Sequence, residues 1–262
     1  MAFWARSFIF DDIPSETYGL FLISESGAGV LENVGSNSVE PYTQEIYRKP
    51  KPYFFGVQQT PVLTFSLSFA SLKPVDAVQQ QIIQRWLFGH NSYKKLQIMQ
   101  CDMESVYFNC ILNNPTVTTV GNYAYTFKCD VVCDAPWAWE YPKTESFGPF
   151  LVEGTFDFNN ISDDNYYMFP IFTVKMGSNS NSFELINKTD GNKGCSFVGL
   201  SPSETLTIDS NKYIITSSTG LLRVGNMTGT LPRLVPGMNT FQVLGSPESI
   251  TISYQNARKV SG

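Results

Sequence analysis

The chain has 262 residues, of which 42% are hydrophobic and only 16% charged, and its 20 Phe and 13 Tyr are residue types that favour strands. This length suits two ordinary domains, and the composition excludes a disordered polyelectrolyte. With 18 basic and 23 acidic side chains the net charge is −5; no basic stripe can neutralise a run of phosphates and no apolar run reaches about 18 residues, so neither nucleic acid binding nor membrane insertion is expected.

The first residues, MAFWARSFIFDD, turn polar too soon for a secretory leader, and the chain reads as soluble and made in a cytoplasm. Two short apolar runs flank Asp11-Asp12-Ile13-Pro14-Ser15, a turn signal that predicts a strand pair over 7–23. From Ser24 the pattern breaks into SGAG at 26–29, VGSNS at 34–38 and RKPKP at 48–52. A loop from Ser24 to about Tyr53 is unusually long for a compact domain, and such loops tend to be functional. Within it Arg48, Lys49 and Lys51, stiffened by Pro50 and Pro52, make a charged segment suited to an acidic neighbour in an assembly.

Period 2 then becomes clear, with Leu63, Phe65, Leu67 and Phe69 facing opposite to Thr64, Ser66 and Ser68. A helix is predicted over about 74–88, with Pro74 in its first turn, Val75, Val78, Ile82, Ile83, Trp86 and Leu87 on a face buried against a sheet, and Gly89 at its end. Strands follow at 94–99, 104–112 and 122–136. The segment WAWEYPKTESFGPF, 137–150, reads as a linker, which divides the chain into domains 1–140 and 141–262. Beyond it short strands are predicted at 169–176, 182–187, 204–209, 213–216, 221–224, 240–244 and 248–254, separated by Gly, Asn, Asp and Pro. That spacing indicates a β-sandwich or jelly roll.

Residues that carry chemistry are sparse. The five cysteines, Cys101, Cys110, Cys129, Cys133 and Cys195, are an odd number, and their places on apolar strand faces suit small buried hydrophobes better than disulfides or zinc ligands. The single histidine, His90, follows the predicted helix end, and no GxSxG, HExxH, GxxxxGK[ST] or GxGxxG motif occurs. Asp163-Asp164 are the candidates for the two carboxylates that a glycosidase needs brought together in space, but their Asn- and Ser-rich context reads as a solvated loop. Trp137, Trp139 and Tyr141 sit at alternate positions and are expected to pack between the two domains, with a sugar-stacking platform as the alternative. No catalytic residue, cofactor or metal site is assigned.

The order of several segments resembles the distal tail protein family of phages with long flexible tails. These are FIFDDIPSETYGLFL at 8–22, LTFSLSF at 63–69, RWLFGHNSYKKLQI at 85–98, VYFNCIL at 106–112 and YTFKCDVVCDAPWAWE at 125–140. FPIFTV, ELINKTDG, SETLTID, PGMN and ESITISY continue the order through the second half. Asp11-Asp12 stand where the family often has Asn-Gly. The resemblance implies a mainly β fold: an N-terminal split β-barrel-like α+β domain with one helix, then a C-terminal galectin-like β-sandwich. It also implies a non-enzymatic virion protein that forms a homohexameric ring at the phage tail tip after synthesis in the host bacterial cytoplasm. Its implied partners are the tail tube protein above, the tail-tip hub or tail-associated lysin below, and receptor-binding proteins or host polysaccharide outside, with the arm over 24–58 embracing a neighbouring subunit. A carbohydrate-binding adhesion module is the alternative function.

Overall fold

In the computed structural model, residues 5–23, 40–58, 62–101, 103–121 and 123–259 are described. The SGAG and VGSNS stretches of the predicted arm lie outside them. The chain divides into two units, one formed by Met1–Glu140 and Arg258–Gly262 and the other by Tyr141–Ala257.

The first unit is built on antiparallel strands β1 (Phe8–Phe10), β2 (Ile13–Pro14) and β3 (Leu20–Leu22), a separate hairpin of β4 (Glu40–Gln44) and β5 (Tyr53–Gln58), and β6 (Thr64–Val75). Helix α1 (Ala77–Phe88) precedes β7 (Lys94–Ile98), β8 (Val106–Val120), β9 (Tyr123–Cys133) and β10 (Ala138–Glu140). The sheet runs in the order β2-β1-β7-β8-β9-β6-β3. Alternation on β6 and β9 turns Leu67, Phe69, Phe127, Cys129, Val131 and Cys133 inward, as their spacing dictates. Trp86 is the pin between helix and sheet: its ring stacks on Phe8 at 6.0 Å and its indole N–H donates to Phe10 O at 3.1 Å.

The helix starts later than predicted. Pro74 belongs to β6, in a register shift between Ala70 and Val75 where its missing N–H costs no ladder bond. The cap is Asp76, whose side chain accepts the Gln79 N–H at 2.8 Å. Ile83, Trp86 and Leu87 are buried as expected, but Val78 (67% exposed) and Ile82 lie on the outer side.

The predicted linker is largely strand. Beyond β10 the second unit begins with β11 (Lys143–Phe147) and β12 (Glu153–Asn160), followed by β13 (Ile171–Met176), β14 (Phe183–Asn187), β15 (Lys193–Phe197), β16 (Thr205–Asp209) and β17 (Ile214–Ser217). The last strands are β18 (Met227–Gly229), β19 (Gly237–Gly245), β20 (Pro247–Tyr254) and β21 (Ala257–Arg258). Two five-stranded antiparallel sheets result, β11-β20-β13-β16-β17 and β12-β19-β14-β15-β18. Their shared core holds Phe158, Phe172, Leu185, Phe197, Phe241 and Ile252. This is the sandwich that the turn spacing predicts. The 221–224 segment departs from prediction: it is not a strand, because Arg223 turns inward onto Glu204. At the C-terminus Arg258 returns to the first unit, its Nε 2.6 Å from Glu140 Oε1, whereas the sequence boundary left 258–262 with the second domain.

Candidate assembly surface

Between the unit-one strands the chain leaves its main sheet to form the β4–β5 hairpin. The pairing runs from Glu40↔Gln58 to Gln44↔Tyr53 with a register shift between Tyr42 and Thr43. Where the sequence predicts a loop there is thus a two-stranded ribbon, whose strands pair only with each other among the described residues. A lone hairpin is marginal in water, and among the described residues no further strand pairs with its outer edges.

Every described side chain from 41 to 55 is exposed. They include Tyr42, Tyr47, Tyr53, Phe54 and Phe55, with Tyr47 at 87% and Phe54 at 64%. Phe54 and Phe55 are consecutive, so the pleat sends one to each face and no single packing surface inside the ribbon covers both. Tyr42 and Phe55 meet with ring centroids 5.8 Å apart. The segment Arg48, Lys49, Pro50, Lys51 and Pro52 makes up the turn end of the hairpin, placing three cations at its tip. Arg48 has a φ of 66°, and its guanidinium lies 5.2 Å from the Tyr47 ring centre. Lys49 Nζ donates to Tyr53 Oη at 2.7 Å and its backbone N–H to Ile46 O at 3.0 Å. The tip is therefore a held shape, aromatic on its flanks and basic at its end.

The other candidates take structural places. Trp137 and Trp139 meet edge to face at 5.7 Å, and the Trp139 indole donates to Asp134 Oδ1 at 3.2 Å; both are half-buried in the first unit. Tyr141 is an exposed residue at the start of the second unit. A His90 ring nitrogen lies 2.6 Å from Trp86 O, and its ring packs edge-on against Phe10, so it finishes the helix end. Asp163 N–H donates to Ala257 O, and Asp164 Oδ1 accepts the Tyr166 N–H at 3.2 Å, a turn arrangement. Among the described residues no group of three His, Cys, Asp or Glu side chains is arranged to hold a metal ion, and no helix is long and apolar enough to cross a membrane.

The sequence reading named the basic tip but missed the aromatic flanks. Their signal was the run Tyr53-Phe54-Phe55, apolar residues in a segment with no core periodicity.

Comparison with known proteins gives this geometry its setting. Residues 3–135 match a family described as phage tail protein N-terminal domain, and residues 137–254 one described as phage tail C-terminal domain. No curated protein sequence matches significantly. The crystal structure of Dit from phage SPP1, described as a paradigm of the hub adsorption apparatus in phages that infect Gram-positive bacteria, is similar with a TM-score of 0.69 at 12% identity, covering 95% of this chain and 98% of that one. A chain of the phage P2 baseplate in its activated conformation with Ca is similar with a TM-score of 0.52 at 8% identity, covering 98% of this chain and 99% of that one. The mainly β, Dit-like fold and the two family matches, which together span nearly all of the sequence, lead to one assignment: the chain belongs to the phage tail proteins.

Proposed function

We propose that this tail protein is a structural subunit of a homohexameric ring at the distal end of the phage tail, joining the tail tube to the tail-tip hub and its adhesion apparatus. The observation that carries the reading is the exposed hairpin β4–β5, an arm whose aromatic flanks and open strand edges have no use in an isolated subunit. Laid against the next copy in a head-to-tail contact, six such arms close a ring. The role is positioning and load-bearing, with no catalytic step. The second unit is the part available to receptor-binding proteins or host polysaccharide. Synthesis takes place in the host bacterial cytoplasm.

Sedimentation of the purified protein across a concentration series tests the arm. The wild type is expected to form a hexamer and Phe54→Ser/Phe55→Ser to remain monomeric. Equal assembly of the two proteins would remove the hairpin from the interface.

A second reading, an adhesion module for carbohydrate, is favoured by exposed Tyr166 and Phe169 in the second unit, aromatic faces of the kind that stack on sugar rings. It predicts saturable binding of host cell-wall polysaccharide that Tyr166→Ala weakens. A flat titration would remove it.

A further inference from the structure

Three cysteines, Cys110, Cys129 and Cys133, lie on β8 and β9 and are buried as thiols in the core of the first unit. Cys110 and Cys133 are direct cross-strand partners. The hydrogen bonds around them decide which kind of pair they form. Cys133 donates its N–H away from β8, to Leu63 O at 2.9 Å, while the next residue, Asp134, donates to Asn109 O at 2.9 Å. The pair therefore occupies a non-hydrogen-bonded site of the β8–β9 ladder, where facing Cα atoms lie about 4.5 Å apart and the side chains are closest. A disulfide needs Cα atoms about 4.4–6.8 Å apart, so the backbone already suits one. Cys129 lacks this geometry: it falls in the register shift between Asn113 and Thr116, with no facing residue on β8.

We propose that Cys110 and Cys133 are an oxidative modification site, a thiol pair that closes into a cross-strand disulfide when the protein meets a small-molecule disulfide such as oxidised glutathione. One cysteine thiolate attacks a sulfur of the oxidant, forming a mixed disulfide and releasing one glutathione thiolate. The other cysteine thiolate then attacks the protein sulfur of that mixed disulfide, forming the cross-strand bond and releasing the second. The two cysteine protons end on the two released thiolates, and the two electrons reduce the oxidant. Burial holds both thiols in the protonated form, Cys133 pushed up to about 12 and Cys110 higher still, with the neighbouring Cys133 adding to the effect on Cys110. Exchange is consequently slow in the closed unit and proceeds when the edge of the ladder opens. The bridge closes a loop of about 24 residues across two central strands of the sheet. The proposal rests on ladder geometry and is independent of the ring.

The test uses the full chain carrying Cys101→Ser, which removes the exposed thiol as a source of cross-linked dimers. The protein is refolded in a buffer of reduced and oxidised glutathione, alkylated, digested and analysed by mass spectrometry. A linked peptide pair containing Cys110 and Cys133 is expected, together with a thermal midpoint about 5–10 °C above that of the reduced protein. Cys129→Ser is expected to keep the link and Cys133→Ser to lose it, with dithiothreitol reversing both mass and midpoint. Absence of the 110–133 link after refolding, a dominant link through Cys129, or a linked protein with a lowered midpoint would each overturn the proposal.

Discussion

Inside the second unit Glu204 is a carboxylate with its full set of partners. Arg223 donates to both of its oxygens at 2.7 and 2.6 Å, Ser217 Oγ donates to Oε1, and the Ser201 N–H donates to Oε2 at 2.7 Å. Arg223 also reaches Gly199 O at 3.0 Å, so one buried pair ties the turn after β15 to the segment between β17 and β18. Burial alone would raise the Glu204 pKa, yet the hydrogen bonds from Arg223, Ser217 and Ser201 outweigh it and lower the value from 4.5 to about 2. Removing one partner leaves the other charge buried and unpaired, so Arg223→Met is expected to cost about 3–5 kcal/mol in chemical unfolding. Because the folded-state pKa is depressed, the unfolded chain takes up the proton first on acidification. The contribution is whole above pH 4.5 and is lost as pH falls through about 2. Glu204→Gln should therefore narrow its stability gap to the wild type over that window, as followed by unfolding midpoints against pH. A gap that stayed constant from neutral pH to pH 2 would count against the ion pair as its cause.

At the scale of elements the hairpin and the helix carry separate tests. If the basic tip at Arg48, Lys49 and Lys51 meets an acidic neighbour, self-association should weaken as salt rises, and Lys49→Glu/Lys51→Glu should weaken it at least tenfold while leaving the monomer's thermal midpoint unchanged. Sedimentation at two ionic strengths reads this directly, and insensitivity to both changes would leave the aromatic flanks as the only adhesive part. Removing the helix cap with Asp76→Ala is expected to cost about 1 kcal/mol, measured by urea unfolding. That cap was legible in principle as Asp76-x-x-Gln79, but Pro74 gave a competing start signal two residues earlier. Strands facing a core, such as those over Leu67–Phe69 and Phe172–Met176, were readable because burial imposes alternation on them. The hairpin was not, since both its faces are exposed and nothing in the single chain selects a period. β12 escaped for a related reason: Phe156 and Phe158 alternate, but Asp, Asn and Gly surround them and weaken the signal. Conversely, the apolar run at 221–224 suggested a strand, and only the distant Glu204 draws Arg223 out of that pattern.

For the whole molecule, two units with separate cores allow a division between assembly and outward attachment. A contact made only by folded subunits stabilises them by mass action, so the thermal midpoint of the first unit should rise with protein concentration, and the arm variant Phe54→Ser/Phe55→Ser should abolish that dependence. The proposed ring has the least support in the residues alone, because a head-to-tail interface would be split between two surfaces of one chain, and sequence periodicity registers burial within a subunit more clearly than burial between subunits. Electron micrographs of the purified full-length protein, class-averaged with the symmetry counted, test the central claim most directly. A closed ring with six-fold symmetry is the predicted result, and single particles of subunit size at every concentration, or a ring with another number of copies, would contradict it.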